Sequence, residues 1–145
     1  MTGVSNQNGR NSASAPPTSI AVACTALGKV LLAHRSWPEV RTLIERHGWR
    51  PYTPHSIQEF DRLEADLAGI RERGYGQDDQ ERAIGSACLA APIRDHAGQV
   101  AAALSVTGTT GTLPPQRRAE VLPRVLAAAN RVSLRLGHHD TLAYA

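Results

Sequence analysis

The chain has 145 residues, a hydrophobic content of 41% and a formal net charge of +3 at pH 7, with a sequence pI near 9.3. This length suits one domain with a single buried core. No apolar run reaches the roughly 20 residues that cross a bilayer. The two cysteines, Cys24 and Cys88, have no repeated spacing, and no signal peptide precedes them. Free thiols in the cytoplasm are therefore expected, not a disulfide framework.

The charge is unevenly distributed along the chain. Residues 57–82 carry eight acids and four arginines, whereas the last predicted helix carries five arginines and one glutamate. Such a basic helix can bind phosphate groups, or it can complement acids elsewhere in the domain or in a partner. We favour complementarity and expect no direct contact with nucleic acid, because no DNA-reading motif accompanies the charge.

The first 17 residues, Met1 to Pro17, are rich in Ser, Asn, Gly and Pro and are predicted to be a disordered lead. Ser19 to Cys24 is predicted to be a short extended segment. Thr25 is a suitable N-cap for a first helix that runs to about Arg35 and contains Lys29, the single lysine of the chain.

Two further helices follow. Ser36 is predicted to cap a helix that ends near His47. Ser56 and Glu59 form the pattern of a capping box for a third helix, which Gly74 ends. The apolar stripe of this third helix indicates a core-facing side and consists of Ile57, Phe60, Leu63, Leu67 and Ile70.

A β-hairpin is predicted next, after a short strand from Tyr75 to Asp78. Its arms run from about Gly85 to Arg94 and from Gln99 to Gly108, with a polar turn between them that ends in glycine. Alternation gives one face of small residues and predicts the floor of a small-molecule site there. That face comprises Ser86, Cys88, Ala90 and Pro92 with Ala101, Ala103, Ser105 and Thr107. The other face of the second arm comprises Val100, Ala102, Leu104 and Val106.

A last helix is predicted to start at Pro114 and Pro115 and to be kinked or loosened in its first two turns by Pro123. Its predicted buried residues are Val121, Leu122, Val125, Leu126, Ala129, Val132 and Leu136. Residues 139–145 are predicted to be a flexible tail. A metal site at His138, His139 and Asp140 would be adventitious.

Several of these segments together resemble one family. They are TALGKVLLA (25–33), RERGY (71–75), Asp78 with Asp79, CLAAPI (88–93) and AALSVTG (102–108). In this order they resemble the effector-binding domain of IclR-type transcriptional regulators, from about Thr18 to His138. The resemblance implies an α+β, GAF-like domain with an antiparallel sheet flanked by helices. It also implies a small organic acid or aromatic effector, with no cofactor, no metal and no catalytic residue.

The resemblance assigns the ligand-binding residues to the start of the first helix, to the segment before the hairpin and to the small face of the hairpin. They are Ala26, Leu27, Asp78, Cys88, Ser105 and Thr107. The amides at the start of the helix would hold a carboxylate, the two hydroxyls would donate hydrogen bonds, and Asp78 would accept from the ligand or orient a neighbour. The alternative is structural: Cys88 is then a small buried hydrophobe, and the hydroxyls satisfy the sheet edge.

Family members begin with a winged helix-turn-helix, a connecting helix and the first strands of the effector domain, none of which this sequence shows. We therefore expect a sheet that is incomplete at its N-terminal side with an open edge. Pro114 also stands where the family usually has a capping hydroxyl. A sensing module would then work as a homo-oligomer or with a full-length regulator. Two alternatives remain: a non-binding remnant or dimerisation piece, and a GAF-like thiol enzyme with Cys88 as nucleophile near Asp78. No neighbouring group in the sequence activates that thiol.

Overall fold

The computed structural model of the chain describes residues 22–139, which form four helices and three strands. The helices are α1 (Ala26–Ala33), α2 (Trp37–His47), α3 (Phe60–Arg73) and α4 (Pro115–Arg135), and the strands are β1 (Gly76–Asp79), β2 (Ser86–Arg94) and β3 (Val100–Thr109). The strands form one antiparallel sheet in the order β1-β2-β3, which confirms the α+β prediction. The predicted lead and all but the first residue of the predicted tail lie outside the described residues. No helix in residues 22–139 is long and apolar enough to span a membrane.

Most helix boundaries follow the capping signals. Thr25 caps α1 and accepts a hydrogen bond from the Gly28 amide at 3.0 Å, and Ser36 caps α2 by accepting from the Glu39 amide at 3.3 Å. Gly74 ends α3 in the left-handed conformation, with φ of 86°, which glycine adopts without strain. The extended segment expected before Thr25 is wrong over its described part, because Val22–Cys24 forms a buried 3-10 turn.

The capping box predicted at Ser56 is wrong. Helix α3 begins at Phe60, and its N-cap makes no side-chain hydrogen bond. The Ser56 hydroxyl instead accepts from the amides of Tyr52 and Thr53 and donates to the Glu81 carbonyl at 2.6 Å. A serine can bond to nearby loop backbone instead of capping a helix, and here it ties the loop before α3 to the segment after β1.

The sheet has α1 on one face and α4 on the other. On the α1 face, Ala90 and Ala103 pack into a core with α1 and α3. A Cβ added to Gly76 would lie 2.8 Å from Val30 Cγ2 and 3.2 Å from the Ala26 carbonyl oxygen, so glycine allows α1 to approach β1 closely. On the α4 face, Ala91 and Ile93 pack against Val125 and Ala129 of α4.

A β-bulge changes the predicted face of one residue. Ile93 pairs with Ala102, whereas Arg94 pairs with Val100, so Ala101 is an extra residue in β3. The prediction that Val100 shares a face with Ala102 is therefore wrong, and Val100 packs against the core on the α1 side.

Helix α4 starts at Pro115 as predicted and is continuous through Pro123, so the predicted loosening of its first two turns is wrong. Pro114 makes no side-chain cap, in line with the expected loss. Val125 and Ala129 are buried as predicted. Three residues predicted to be buried are exposed instead, namely Leu126 (36%), Val132 (37%) and Leu136 (47%).

Two buried polar residues explain the observed orientation of α4. Arg118 donates to the Leu113 carbonyl at 2.9 Å, and its guanidinium lies 3.2 Å from Asp79. The Ser133 hydroxyl accepts from the Arg94 amide at 2.9 Å and donates to the Ala129 carbonyl. These hydrogen bonds hold the Arg118 and Ser133 side of α4 against the sheet, and the alternative apolar side is left towards solvent.

Candidate functional site

The candidate site lies on the α1 face of the sheet, where two rows of side chains cross all three strands. Asp78 pairs with Cys88, which pairs with Thr107, and in the next row Gly76 pairs with Ala90, which pairs with Ser105. The rows are about 7 Å apart, because residues i and i+2 of a strand share a face. The register thus brings four of the six predicted residues together: Asp78, Cys88, Ser105 and Thr107.

The start of α1 completes this arrangement. The Thr25 side chain accepts a hydrogen bond from the Gly28 amide. The Thr25 carbonyl accepts one from the Lys29 amide at 3.0 Å. The preceding amides, of Ala26 and Leu27, belong to the first turn, where the helix itself supplies no acceptor. The Ala26 carbonyl lies against Gly76, so the first turn borders the row of Gly76, Ala90 and Ser105. Ala26 is buried and Leu27 is half-buried.

Cys88 and Thr107 are linked side by side, with the Cys88 Sγ donating to Thr107 Oγ1 at 3.1 Å. Burial raises the pKa of the Cys88 thiol, the Thr107 hydrogen bond opposes the rise, and the charge of Asp78 adds to it. The thiol is therefore held protonated at neutral pH. In this arrangement it is a weak hydrogen-bond donor to Thr107.

Asp78 is 2% exposed and shapes the turn that follows β1. Its Oδ1 accepts from the backbone amides of Glu81 at 2.7 Å and Arg82 at 3.4 Å. Burial raises the pKa of Asp78, whereas these two hydrogen bonds lower it. Asp78 therefore holds the turn after β1 in place.

Exposure increases along the site from its centre to one end. Ala90 is fully buried, Cys88 and Ser105 are half-buried, and Thr107 is exposed. A ligand would therefore reach the site at the Thr107 end. A separate groove of about 310 Å³ lies on the α4 side and is not this site; it is lined by Leu104, Ala128, Arg131, Val132 and Arg135.

A buried ion cluster beside the site was not predicted. Lys29 of α1 is 2% exposed, and its Nζ lies 2.9 Å from Asp66 Oδ2 and 2.7 Å from Glu81 Oε2. Arg73 lies 3.7 Å from the other oxygen of Asp66. The cluster joins α1, α3 and the turn after β1. The sequence feature that could have indicated this cluster is the single lysine of the chain, which lies in the otherwise apolar run ALGKVLLA.

Glu81 is the most perturbed member of this cluster. Burial raises its pKa to about 7, Lys29 opposes the rise, and the charges of Asp78 and Asp66 add to it. Its Oε1 is buried and has no hydrogen-bond partner among the described residues. Because the Glu81 amide is bound by Asp78 and its carboxylate by Lys29, the cluster connects the site to α1.

Residues 22–139 hold no group of three or more His, Cys, Asp or Glu side chains arranged to bind a metal. The tail sequence noted above includes Asp140, which lies outside the described residues. Both described cysteines, Cys24 and Cys88, are free thiols.

Comparison with known proteins identifies relatives of this fold. Residues 11–134 match the family model described as "Bacterial transcriptional regulator IclR C-terminal", a match that begins before the domain start predicted at Thr18. The chain is 36% identical over 116 residues to the HTH-type transcriptional regulator KdgR of Escherichia coli K12, covering 80% of this chain and 44% of KdgR. It is 38% identical over 110 residues to the transcriptional repressor IclR of the same organism, covering 76% and 40%.

Solved structures agree with these matches. The crystal structure of the C-terminal domain of E. coli KdgR aligns with a TM-score of 0.74 at 34% identity, covering 81% of this chain and 71% of that domain. The inducer-binding domain of the PobR transcription factor from Acinetobacter, a double mutant in complex with 3-hydroxybenzoic acid, aligns with a TM-score of 0.77 at 26% identity, covering 90% and 72%. The chain spans less than half the length of the curated relatives it matches. It belongs to the IclR family of bacterial transcriptional regulators and corresponds to their C-terminal effector-binding region.

Proposed function

We propose that this chain is an effector-sensing module that binds a small organic acid or aromatic compound on the α1 face of its sheet. The observation that carries the proposal is the row of Asp78, Cys88 and Thr107 beside the first turn of α1. The proposed ligand-binding residues are Ala26, Leu27, Asp78, Cys88, Ser105 and Thr107.

Each part of the site suits one part of such a ligand. The amides of Ala26 and Leu27 suit a carboxylate, because a helix N-terminus combines free N–H groups with a partial positive charge. Ser105 and Thr107 add hydroxyl donors at the accessible end. An apolar body would lie against the half-buried Cys88 and Ser105, since Ala90 is fully buried in the core with α1 and α3. Asp78, which is 2% exposed, would support the site by holding the turn after β1.

The relative with a bound compound supplies a probe. The PobR domain was solved with 3-hydroxybenzoic acid, which carries a carboxylate, a ring and a hydroxyl. The carboxylate suits the amides of α1, the ring suits the half-buried Cys88 and Ser105, and the hydroxyl suits the exposed Thr107, so 3-hydroxybenzoate is a reasonable first ligand for this chain.

The proposed module senses and does not catalyse, since its one accessible thiol has a raised pKa and donates to a hydroxyl. It would act in the cytoplasm, where free thiols persist, and would leave DNA contacts to another domain or chain. Its partner would be a second copy or a full-length regulator. Among the described residues β3 pairs only with β2, which also suits the competing role of a dimerisation piece that binds no effector.

Calorimetry with 3-hydroxybenzoate tests the proposal. The variant Ser105→Ala/Thr107→Val should bind at least about tenfold more weakly, because two hydrogen bonds of about 1 kcal/mol each are lost. Thr42→Val, which removes an exposed hydroxyl from α2, should bind like the unsubstituted chain. Benzyl alcohol, which lacks the carboxylate, should bind more weakly than benzoate. If no carboxylate binds and none raises the melting temperature, the dimerisation role is favoured instead.

A further inference from the structure

The groove of about 310 Å³ between β3 and the second half of α4 combines apolar walls with two arginines. Leu104, Ala128 and Val132 supply the apolar walls. Arg131 and Arg135, one helical turn apart, also line the groove. Because Leu104 is half-buried and Val132 is 37% exposed, the groove suits a segment that carries both apolar side chains and a negative charge.

Neither Arg131 nor Arg135 forms an ion pair within the part of the chain that the structure describes. The ion pairs of α4 lie in its first two turns and involve Arg117 and Arg118 instead. The one acid of α4, Glu120, lies 11 residues before Arg131, which is about 16.5 Å along the helix. The two arginines are exposed and are therefore available to a carboxylate.

The chain leaves α4 beside this groove. Gly137 has φ of 86°, and the His138 amide donates to the Ser133 carbonyl at 3.0 Å. This is the bond of a Schellman motif, which ends the helix. A Cβ added to Gly137 would lie 3.2 Å from the Cβ of His96, in the turn between β2 and β3. The exit therefore lies at the end of the sheet where β3 begins, close to Arg135 in the chain.

The next six residues carry the groups that the groove suits. They read DTLAYA (140–145) and lie outside the described residues. Asp140 supplies a carboxylate. In an extended segment Leu142 and Tyr144 share one side, because side chains alternate along the chain.

The segment is also long enough to fill the groove. Along α4 the groove extends from Arg135 to Ala128, a distance of about 10.5 Å at 1.5 Å per residue. The four extended residue steps from Asp140 to Tyr144 span about 13 Å. Both ends of the groove are thus within reach of the segment.

We propose that residues 140–145 bind in the α4 groove of their own chain. The Asp140 carboxylate pairs with Arg135, and the side chains of Leu142 and Tyr144 cover the apolar walls. The segment that the sequence alone predicts to be a flexible tail is then held against α4.

A small amphipathic anion from solution is the competing occupant of this groove. The attached segment is favoured because a short connection gives it an effective concentration in the millimolar range. A contact that is weak between separate molecules is therefore sufficient within one chain.

NMR of the full chain and of a chain that ends at His139 tests the contact directly. In the full chain, nuclear Overhauser effects should connect the Tyr144 ring to the methyl groups of Leu104 and Val132. Removal of residues 140–145 should abolish these effects and shift the amides that line the groove. Circular dichroism of both chains checks that they fold alike.

Two double variants separate the side chains that bind from their neighbours. Leu142→Ser/Tyr144→Ser should shift the groove amides to the positions that they have in the shortened chain. The matched control Thr141→Ser/Ala143→Ser changes the alternate positions and should leave the groove amides unchanged.

The fluorescent anion 1-anilinonaphthalene-8-sulfonate measures access to the groove. The apparent affinity of a competitor falls in proportion to the open fraction of its site. If the segment fills the groove for about two-thirds of the time, the shortened chain should bind the dye about threefold more tightly than the full chain. Dye-induced amide shifts at Ala128, Arg131 and Val132 identify binding in the groove.

Identical groove amides in the full and shortened chains, without Overhauser effects from Tyr144, would overturn the proposal. Groove shifts that grow with protein concentration would also overturn it, because they would assign the groove to the segment of another copy. Equal binding of the dye in the groove of both chains would assign the groove to a small anion from solution instead.

Discussion

The buried ion cluster predicts a large and pH-dependent effect of replacing Lys29 by Met. The substitution removes an ammonium that lies 2.9 Å from Asp66 and 2.7 Å from Glu81 and leaves two carboxylates without their shared partner. Removing one member of a buried pair typically costs about 3–5 kcal/mol. We expect about 3 kcal/mol, because the Asp66 side chain is 25% exposed and Arg73 remains nearby. Arg117→Met is the matched control, since its pair with Glu120 is more than half exposed and should contribute about 0.5 kcal/mol or less.

The pH dependence follows from Glu81. Its folded pKa of about 7 lies above the ordinary value of 4.5, so the folded state binds the proton more tightly than the unfolded state does. Stability from this group is full below about pH 4.5 and declines by about 3 kcal/mol as pH rises to about 7. Without Lys29 the folded pKa rises further, so the deficit of Lys29→Met should be large at pH 8 and small at pH 5. Urea unfolding of the variant and of the unsubstituted chain at pH 5 and pH 8 measures this difference in stability. A deficit no larger than that of Arg117→Met, or one that does not change with pH, would refute this reasoning.

Three further predictions concern single side chains. Gly76→Ala should cost about 1–3 kcal/mol of stability, because its Cβ would lie 2.8 Å from Val30 Cγ2. The control Gly111→Ala, whose Cβ would have its nearest atom 3.6 Å away, should change stability by about 0.5 kcal/mol or less. Equal effects in urea unfolding would contradict the close approach of α1. Ser56→Ala should cost about 2–3 kcal/mol, since the Glu81 carbonyl and two amides lose their partner, and a loss no larger than that of the exposed cap variant Ser36→Ala would count against that role. In thiol labelling at pH 7, Cys88 should react more slowly than a model thiol and faster than the fully buried Cys24, an order that a reactive Cys88 or an accessible Cys24 would reverse.

Local signals in the sequence were sufficient for much of the fold. The caps at Thr25 and Ser36 and the glycine that ends α3 depend on near neighbours, and the structure confirms each. Alternation also predicts the faces of the hairpin, except at Val100, which the bulge moves to the α1 side. Alternation also places Cys88, Ser105 and Thr107 on small-residue faces, whereas the pairing of Asp78 with Cys88 is a matter of strand register, which alternation does not give. The prediction of a short extended segment before Thr25 is wrong because a tight 3-10 turn leads directly into α1.

Several of the other differences from the sequence predictions have a common cause in long-range polar contacts. Ser56 bonds to Glu81, 25 residues away, and this contact replaces the predicted cap. Ser133 bonds to Arg94, 39 residues away, and helps to orient α4 so that Leu126 and Val132 stay exposed. The pairing of Lys29 with Asp66 and Glu81 likewise requires the packed arrangement of α1, α3 and the turn after β1. A single sequence does not specify such partners.

The central claim is that a small organic acid binds on the α1 face, and amide NMR during titration with 3-hydroxybenzoate tests it most directly. The account predicts shifts at Ala26, Leu27, Cys88, Ser105 and Thr107, with the amides that line the α4 groove unchanged. Amide shifts confined to Ala128, Arg131 and Val132 of the α4 groove would contradict this claim. So would the absence of shifts with 3-hydroxybenzoate if another organic acid shifts only the amides of that groove.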